Sequence, residues 1–232
     1  MIVLGLDTSA YVNAVGLCDG ARVLADVAFP ARTDSLEQIV DNIDSVLKGA
    51  GLSLDKVQGI GVGLGPGSWT GIRVGVTVGK MLAFAAGKPV AGVPTLEALA
   101  WAARGRARFI CAVISVGAGD AVYAGLYRVA DGDITRQGDY YIGDAKGLAA
   151  LIKEPCVLIG EGAISYAATI ARESAMKMDS VEARPGGAAV ALLAARRLAR
   201  GESDDTLSLT PLYLKESTAK VFVDKYHHES NI

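Results

Sequence analysis

The chain has 232 residues, of which 51% are apolar and 21% charged, with a formal net charge of −2. That is one large domain or two small lobes with enough apolar content to bury a full core, which excludes a disordered chain. A slightly acidic balance disfavours autonomous nucleic-acid binding, which calls for a clear basic excess.

Ile2 to Leu6 is an apolar run that ends in the turn Asp7-Thr8-Ser9. Val12 to Cys18 and Arg22 to Phe29 read as two further strands on either side of the Asp19-Gly20 turn. Leu36, Ile39, Val40, Ile43, Val46 and Leu47 then fall at helical spacing, with Asp34 as the expected N-cap and Glu37 completing a capping box. Val57 to Leu64 is a β run leading into the glycine-rich turn Gly65-Pro66-Gly67-Ser68. A helix from about Thr70 to Ala86 and a short strand, Val90 to Val93, complete the order βββαβα.

A helix from Thr95 to Arg104 joins this half to a second one of the same order. Its β runs are Phe109 to Val116, Ala121 to Val129 and Ile134 to Ile142. A short helix at Ala145 to Ile152, a strand at Cys156 to Ile159, and helices at Ala163 to Arg172 and Gly187 to Arg200 follow. The expected division is a first lobe over 1–104, a smaller second lobe over 105–214 and a polar tail over 215–232. The repeated element order suggests an internal structural duplication, although no repeat is visible in the residues themselves.

With 28 glycines and only 6% aromatics, close helix contacts are expected. Cys18, Cys111 and Cys156 lie far apart with no CxxC pair, and read as small buried hydrophobes in a reducing compartment. The N-terminus lacks the flanks of a signal peptide, and the longest apolar stretch, Val74 to Ala86, is cut by Lys80. That stretch is shorter than a membrane span, so a cytoplasmic protein without a membrane partner is expected.

Two turns are candidate phosphate sites. Asp7, Thr8 and Ser9 at a strand end can hold a metal–phosphate group, or can form an ordinary side-chain-capped turn. Gly65, Gly67 and Ser68 precede a helix whose N-terminal N–H groups can cradle a phosphate, or serve as a tight strand-to-helix connection. Neither GxxxxGK[ST] nor GxGxxG is present, so P-loop and Rossmann readings fail. Gly71, Gly75, Gly79 and Ala83 recur every four residues and form a bare helical stripe. Such a ridge admits close packing, either inside its own lobe or against a partner helix.

Catalytic equipment is sparse. The two histidines, His227 and His228, are adjacent and read as solvated residues of the tail. No GxSxG elbow, His-x-x-x-His pair or Cys/His cluster occurs, so no metal site is expected. Arg104, Arg106 and Arg108 alternate, which would align them on one face of an extended segment.

These residues are recognisable together. Met1 to Ser9 (MIVLGLDTS) and Gly65 to Arg73 (GPGSWTGIR) resemble the TsaB (YeaZ) family of glycoprotease-like proteins. Val93-Pro94-Thr95-Leu96, Ile159-Gly160-Glu161-Gly162-Ala163 and Thr210-Pro211-Leu212-Tyr213-Leu214-Lys215 extend the match, in order, over most of the chain. The resemblance implies an α/β, actin-like (ASKHA, ribonuclease H-like) fold of two βββαβα lobes. It also implies a non-catalytic scaffold subunit in forming N6-threonylcarbamoyladenosine at position 37 of ANN-decoding tRNAs. The implied partners are a catalytic TsaD-type paralogue and a TsaE-type ATPase, with tRNA met only through the complex and a homodimer when alone.

No cofactor is implied for this chain, although ATP or ADP is compatible with the assembled complex. Family interfaces use the first-lobe helices, which points to Leu36, Ile39, Ile43, Gly71, Gly75, Gly79 and Ala83 as partner-facing. Asp7, Thr8, Ser9, Gly65, Gly67 and Ser68 become remnants of an ancestral phosphate site. One departure is Thr33-Asp34-Ser35, where many relatives carry His-Ser-Glu. The alternative from a different class is a stand-alone ASKHA-type ATPase or small-molecule kinase. Against it, the second lobe has Asp120 after Gly119 and no DxG phosphate turn.

Overall fold

The computed structural model describes residues 1–31, 35–117 and 119–214, with backbone alone at 35–37. The expected cap Asp34, the Thr33-Asp34-Ser35 departure, the Leu36 side chain, His227, His228 and the tail lie outside the described side chains.

The first sheet holds β1 (Ile2–Asp7), β2 (Val12–Asp19), β3 (Arg22–Pro30), β4 (Gly59–Gly63) and β5 (Val90–Val93) in the order β3-β2-β1-β4-β5. The β1–β2 and β2–β3 pairs are antiparallel, whereas β1–β4 and β4–β5 are parallel. β1 and β4 are apolar along nearly their whole length because helices cover both faces of the sheet. On one face lie α1 (Ser35–Gly49) and α2 (Trp69–Ala86), whose Ile39, Ile43, Val76 and Ala83 join Leu4, Leu6 and Val62 in one core.

The second sheet holds β6 (Phe109–Ser115), β7 (Ala121–Ala130), β8 (Asp133–Arg136), β9 (Tyr141–Asp144), β10 (Val157–Ile159) and β11 (Asp179–Val181). The single β run expected over Ile134 to Ile142 is two strands, β8 and β9. Both pair with β7, and Gly138 turns between them at φ 73°. β11 had no sequence signal, being three residues with only Val181 partly buried. α4 (Ala145–Leu151) and α5 (Glu161–Ser174) cover one face of this sheet. α3 (Thr95–Ala103) packs Leu96, Leu99 and Ala103 on the other.

The last helix, α6 (Gly187–Ala199), corrects the expected division of the chain. Although it follows the second sheet in sequence, it packs across the first. Gly16, Gly5 and Gly61 stand side by side on β2, β1 and β4, making a bare groove across three strands. A Cβ on Gly5 would overlap the α6 backbone at Gly187 and Ala191, one on Gly16 would overlap it at Gly187 and Ala188, and one on Gly61 would lie 2.7 Å from Ala194 Cβ. Glycine here permits close approach of helix to sheet, and the α6 alanines fill what remains.

The chain then returns along the first lobe. Arg197 Nη1 donates to Gly92 O at 2.6 Å and to Asp204 Oδ2 at 2.9 Å, while Asp204 Oδ2 also accepts from Gly92 N at 2.7 Å. Lys80 Nζ donates to the carbonyls of Leu207 and Leu209. The lysine that interrupts the apolar run of α2 therefore ties down this strap. Arg104, Arg106 and Arg108 do not share an extended face, because Arg104 ends α3 in helical geometry and a turn follows.

Candidate functional site

The two expected phosphate turns meet at the mouth between the lobes. Strand β1 ends at Asp7, and the chain turns there so that Ser9 faces the loop between β4 and α2. Ser68 N donates to Ser9 O at 2.7 Å, and a Cβ on Gly67 would overlap Ser9 O. The Gly65–Pro66 peptide is cis. Ser68 caps α2, its Oγ accepting from Gly71 N at 3.2 Å.

The hydroxyls and the carboxylate turn inward. Asp7 is 1% exposed. Its Oδ1 accepts from Ser9 N at 2.8 Å and from Ser9 Oγ at 2.5 Å, and its Oδ2 accepts from Thr95 Oγ1 at 2.8 Å. Thr95 N in turn donates to Gly65 O, and Gly65 N to Thr95 Oγ1. Thr8 Oγ1 donates to Gly71 O at 2.6 Å. Burial raises the Asp7 carboxyl above its ordinary range, and the Ser9 and Thr95 hydrogen bonds offset only part of that rise.

All six candidate residues are thus brought to one place. Asp7, Thr8 and Ser9 are engaged within the fold rather than presented to a ligand. Thr95 is the member of this network that sequence reading left out of the site. Its signal was the Pro94-Thr95 pair opening a helix directly after the short strand β5.

Beside this network lies a cleft of about 250 Å³ between the lobes. Ser9, Ser68 and Trp69 line it from the first lobe, and Ser115, Tyr123 and Glu161 from the second. Glu161 is the only carboxylate on its walls, and no lysine, arginine or histidine lines it among the described residues. A phosphate chain there would meet the Glu161 carboxylate, with Arg184 lining an adjoining hollow that shares Ser9, Ala10, Ile114 and Glu161 with the cleft. Among the described residues no group of three or more His, Cys, Asp or Glu is placed to hold a metal ion.

At the rim, Trp69 stacks on Tyr213 with ring centroids 4.4 Å apart. The Arg73 guanidinium sits 4.2 Å from the Trp69 ring and its Nε donates to Tyr213 Oη at 3.0 Å. Trp69 and Arg73 of one sequence motif and Tyr213 of another, read separately in the sequence, therefore form one contact.

The glycine stripe expected to face a partner faces inward, which corrects that assignment. A Cβ on Gly71 would overlap Thr8 O, on Gly75 Thr8 Oγ1, and on Gly79 Val62 Cγ2. Ala83, Ile39 and Ile43 are core residues as well. Helical periodicity located the bare ridge, but the end of β1 and strand β4 occupy it. The outward faces of the same helices carry Val40 on α1 and Met81 and Phe84 on α2, exposed by 51%, 66% and 72%. No helix among the described residues is long and apolar enough to cross a membrane.

Comparisons with known proteins identify the family and the fold. The family model of TsaD, the tRNA N6-adenosine threonylcarbamoyltransferase, matches residues 30–221. The tRNA threonylcarbamoyladenosine biosynthesis protein TsaB of Bacillus subtilis is 31% identical over 132 residues, 57% of each chain. The match thus spans just over half the length of that relative. The solved structure of YeaZ from Pseudomonas aeruginosa superposes with a TM-score of 0.80 at 27% identity, covering 92% of this chain and 99% of its own. A ROK hexokinase from Thermus thermophilus aligns over 87% of this chain and all of its own, with a TM-score of 0.55 at 16% identity, which shows the shared actin-like fold alone. The chain belongs to the tRNA N6-adenosine threonylcarbamoyltransferase family, within its TsaB (YeaZ) group.

Proposed function

We propose that this chain is a non-catalytic subunit in the formation of N6-threonylcarbamoyladenosine at position 37 of ANN-decoding tRNAs. It pairs with a TsaD-type paralogue that carries the transfer chemistry. The observation that carries this reading is the closed state of the phosphate turns. Asp7, Thr8 and Ser9 spend their side-chain hydrogen bonds on one another, on Gly71 and on Thr95, beside a cleft that no lysine, arginine or histidine lines among the described residues. A chain so arranged contributes surface rather than a reacting group.

The exposed apolar residues Val40, Met81 and Phe84 supply that surface on the two first-lobe helices. Burying what remains exposed of three such side chains would stabilise association by about 0.8–2 kcal/mol each before ordering costs. A second copy of the chain can use the same face when the paralogue is absent. The TsaE-type ATPase docks on the assembled pair, ATP or ADP acts only there, and tRNA is met through the complex in the cytoplasm.

The test begins with a pull-down of the chain from its native lysate, with bound proteins identified by mass. A captured paralogue bearing a His-x-x-x-His pair, whose transfer to tRNA rises when this chain is added, supports the subunit role. ATP hydrolysis or sugar phosphorylation by the purified chain alone would replace it with the stand-alone ATPase or kinase reading.

A further inference from the structure

A second pocket, of about 380 Å³, lies at the opposite end of β1 from the cleft and shares no lining residue with it. Met1 and Ala21 border it from the start of β1 and the β2–β3 turn, Trp101 from α3, and Leu192 and Ala195 from α6. Its walls are mainly apolar, yet two guanidinium groups stand at them. The Arg104 Cζ lies 4.1 Å from the Trp101 ring centroid and the Arg196 Cζ lies 4.8 Å from it. We propose that this pocket binds a small organic anion with an apolar body, of the class of a medium-chain carboxylate, with its head at the arginine-bearing wall.

Three observations bear on the occupant. First, stacking on the indole holds both guanidiniums in place while leaving most of their donors free. Arg104 spends Nη1 on Trp101 O at 2.8 Å, and Arg196 spends Nη2 on Asp133, out of five N–H donors on each. Second, no carboxylate lines the pocket among the described residues, and of its two guanidiniums it is Arg196 that has an acidic partner, Asp133. Third, Trp101 is 5% exposed, so the ring that both guanidiniums lie against is itself held by the core.

A purely apolar ligand would leave the Arg104 guanidinium without an anion, since Arg196 is already paired with Asp133, and an ammonium would be repelled by both. A carboxylate on an apolar chain meets both demands, with the head at the Arg104 guanidinium and the body against Leu192 and Ala195. The small residues Gly20, Ala21, Ala195 and Ala199 keep that volume open.

The test titrates the full chain with octanoate, with octanol, octylammonium and acetate as comparators. Binding is read by calorimetry and by the Trp101 indole N–H signal. Saturable octanoate binding of one molecule per chain is expected, at least about tenfold tighter than any comparator, the worth of a charge-assisted pair. Replacing both Arg104→Ala and Arg196→Ala should remove that preference. Because Arg196 also pairs with Asp133, Ala21→Phe on the exposed turn provides a second variant that fills the pocket without touching an ion pair. No saturable binding, octanol binding as tight as octanoate, or octanoate binding unchanged in both variants would each overturn the proposal.

Discussion

Thr8 and Gly75 meet across the end of β1 and helix α2 with no room for a side chain between them. A Cβ on Gly75 would overlap Thr8 Oγ1, the same oxygen that donates to Gly71 O at 2.6 Å. The helix is thereby pinned to the strand end that carries Asp7 and Ser9. Gly75→Leu, and likewise Gly79→Leu against Val62, should destabilise the isolated chain by at least about 1–3 kcal/mol through overpacking. Thermal unfolding reads this directly. A variant that melts like the parent but no longer binds a paralogue would return the stripe to the interface.

Phe84→Glu should behave in the opposite way. Its side chain is 72% exposed, so the unfolding midpoint should move by no more than about 0.5 kcal/mol equivalent. Capture of the paralogue should fall at least about tenfold, because a carboxylate would then be buried without a partner. Unchanged capture would place the docking surface elsewhere.

Asp7 gives the fold a pH signature. Burial raises its carboxyl above the ordinary value of 3.8, so the folded state holds a proton that the unfolded chain releases first. This contribution is full below the ordinary value and is lost as pH rises through the elevated one. Asp7→Asn should flatten that decline while keeping an acceptor for Ser9, whereas Asp7→Ala strands the Ser9 and Thr95 donors at a cost of about 1–3 kcal/mol. Denaturant melts from acidic to neutral pH compare the three proteins. Parallel curves for the parent and Asp7→Asn would show that another group sets the dependence.

Arg197 and Asp204 close the strap. Both are partly buried and share a forked contact that also holds both backbone polar groups of Gly92. Asp204→Ala should cost about 1.5–3 kcal/mol and raise amide exchange over residues 204–214 before the rest of the first lobe. Uniform exchange across both lobes would mean that the strap is not a separate unit.

The residues of the candidate site were legible because chemistry and position coincide there. A carboxylate and two hydroxyls ending an apolar strand, and glycines opening a helix, mark a strand-end turn whatever the rest of the chain does. Thr95 was left out of the site because its hydroxyl acts only through residues distant in the chain, Asp7, Ser9 and Gly65, the first 88 positions earlier.

The sequence by itself determined most of the elements and their order, β11 and the break between β8 and β9 excepted, since apolar runs and helical spacing report each segment's local need to hide one or both faces. It also determined the family, through motifs dense enough to be read without contacts. Tertiary structure alone decided what each face is hidden against. A bare glycine ridge fits a neighbouring strand as well as a partner helix, and only the approach of Thr8 and Val62 distinguishes them. The return of α6 to the first sheet rests likewise on Gly5, Gly16 and Gly61, which are scattered in the chain. They become one groove only when three strands pair in register.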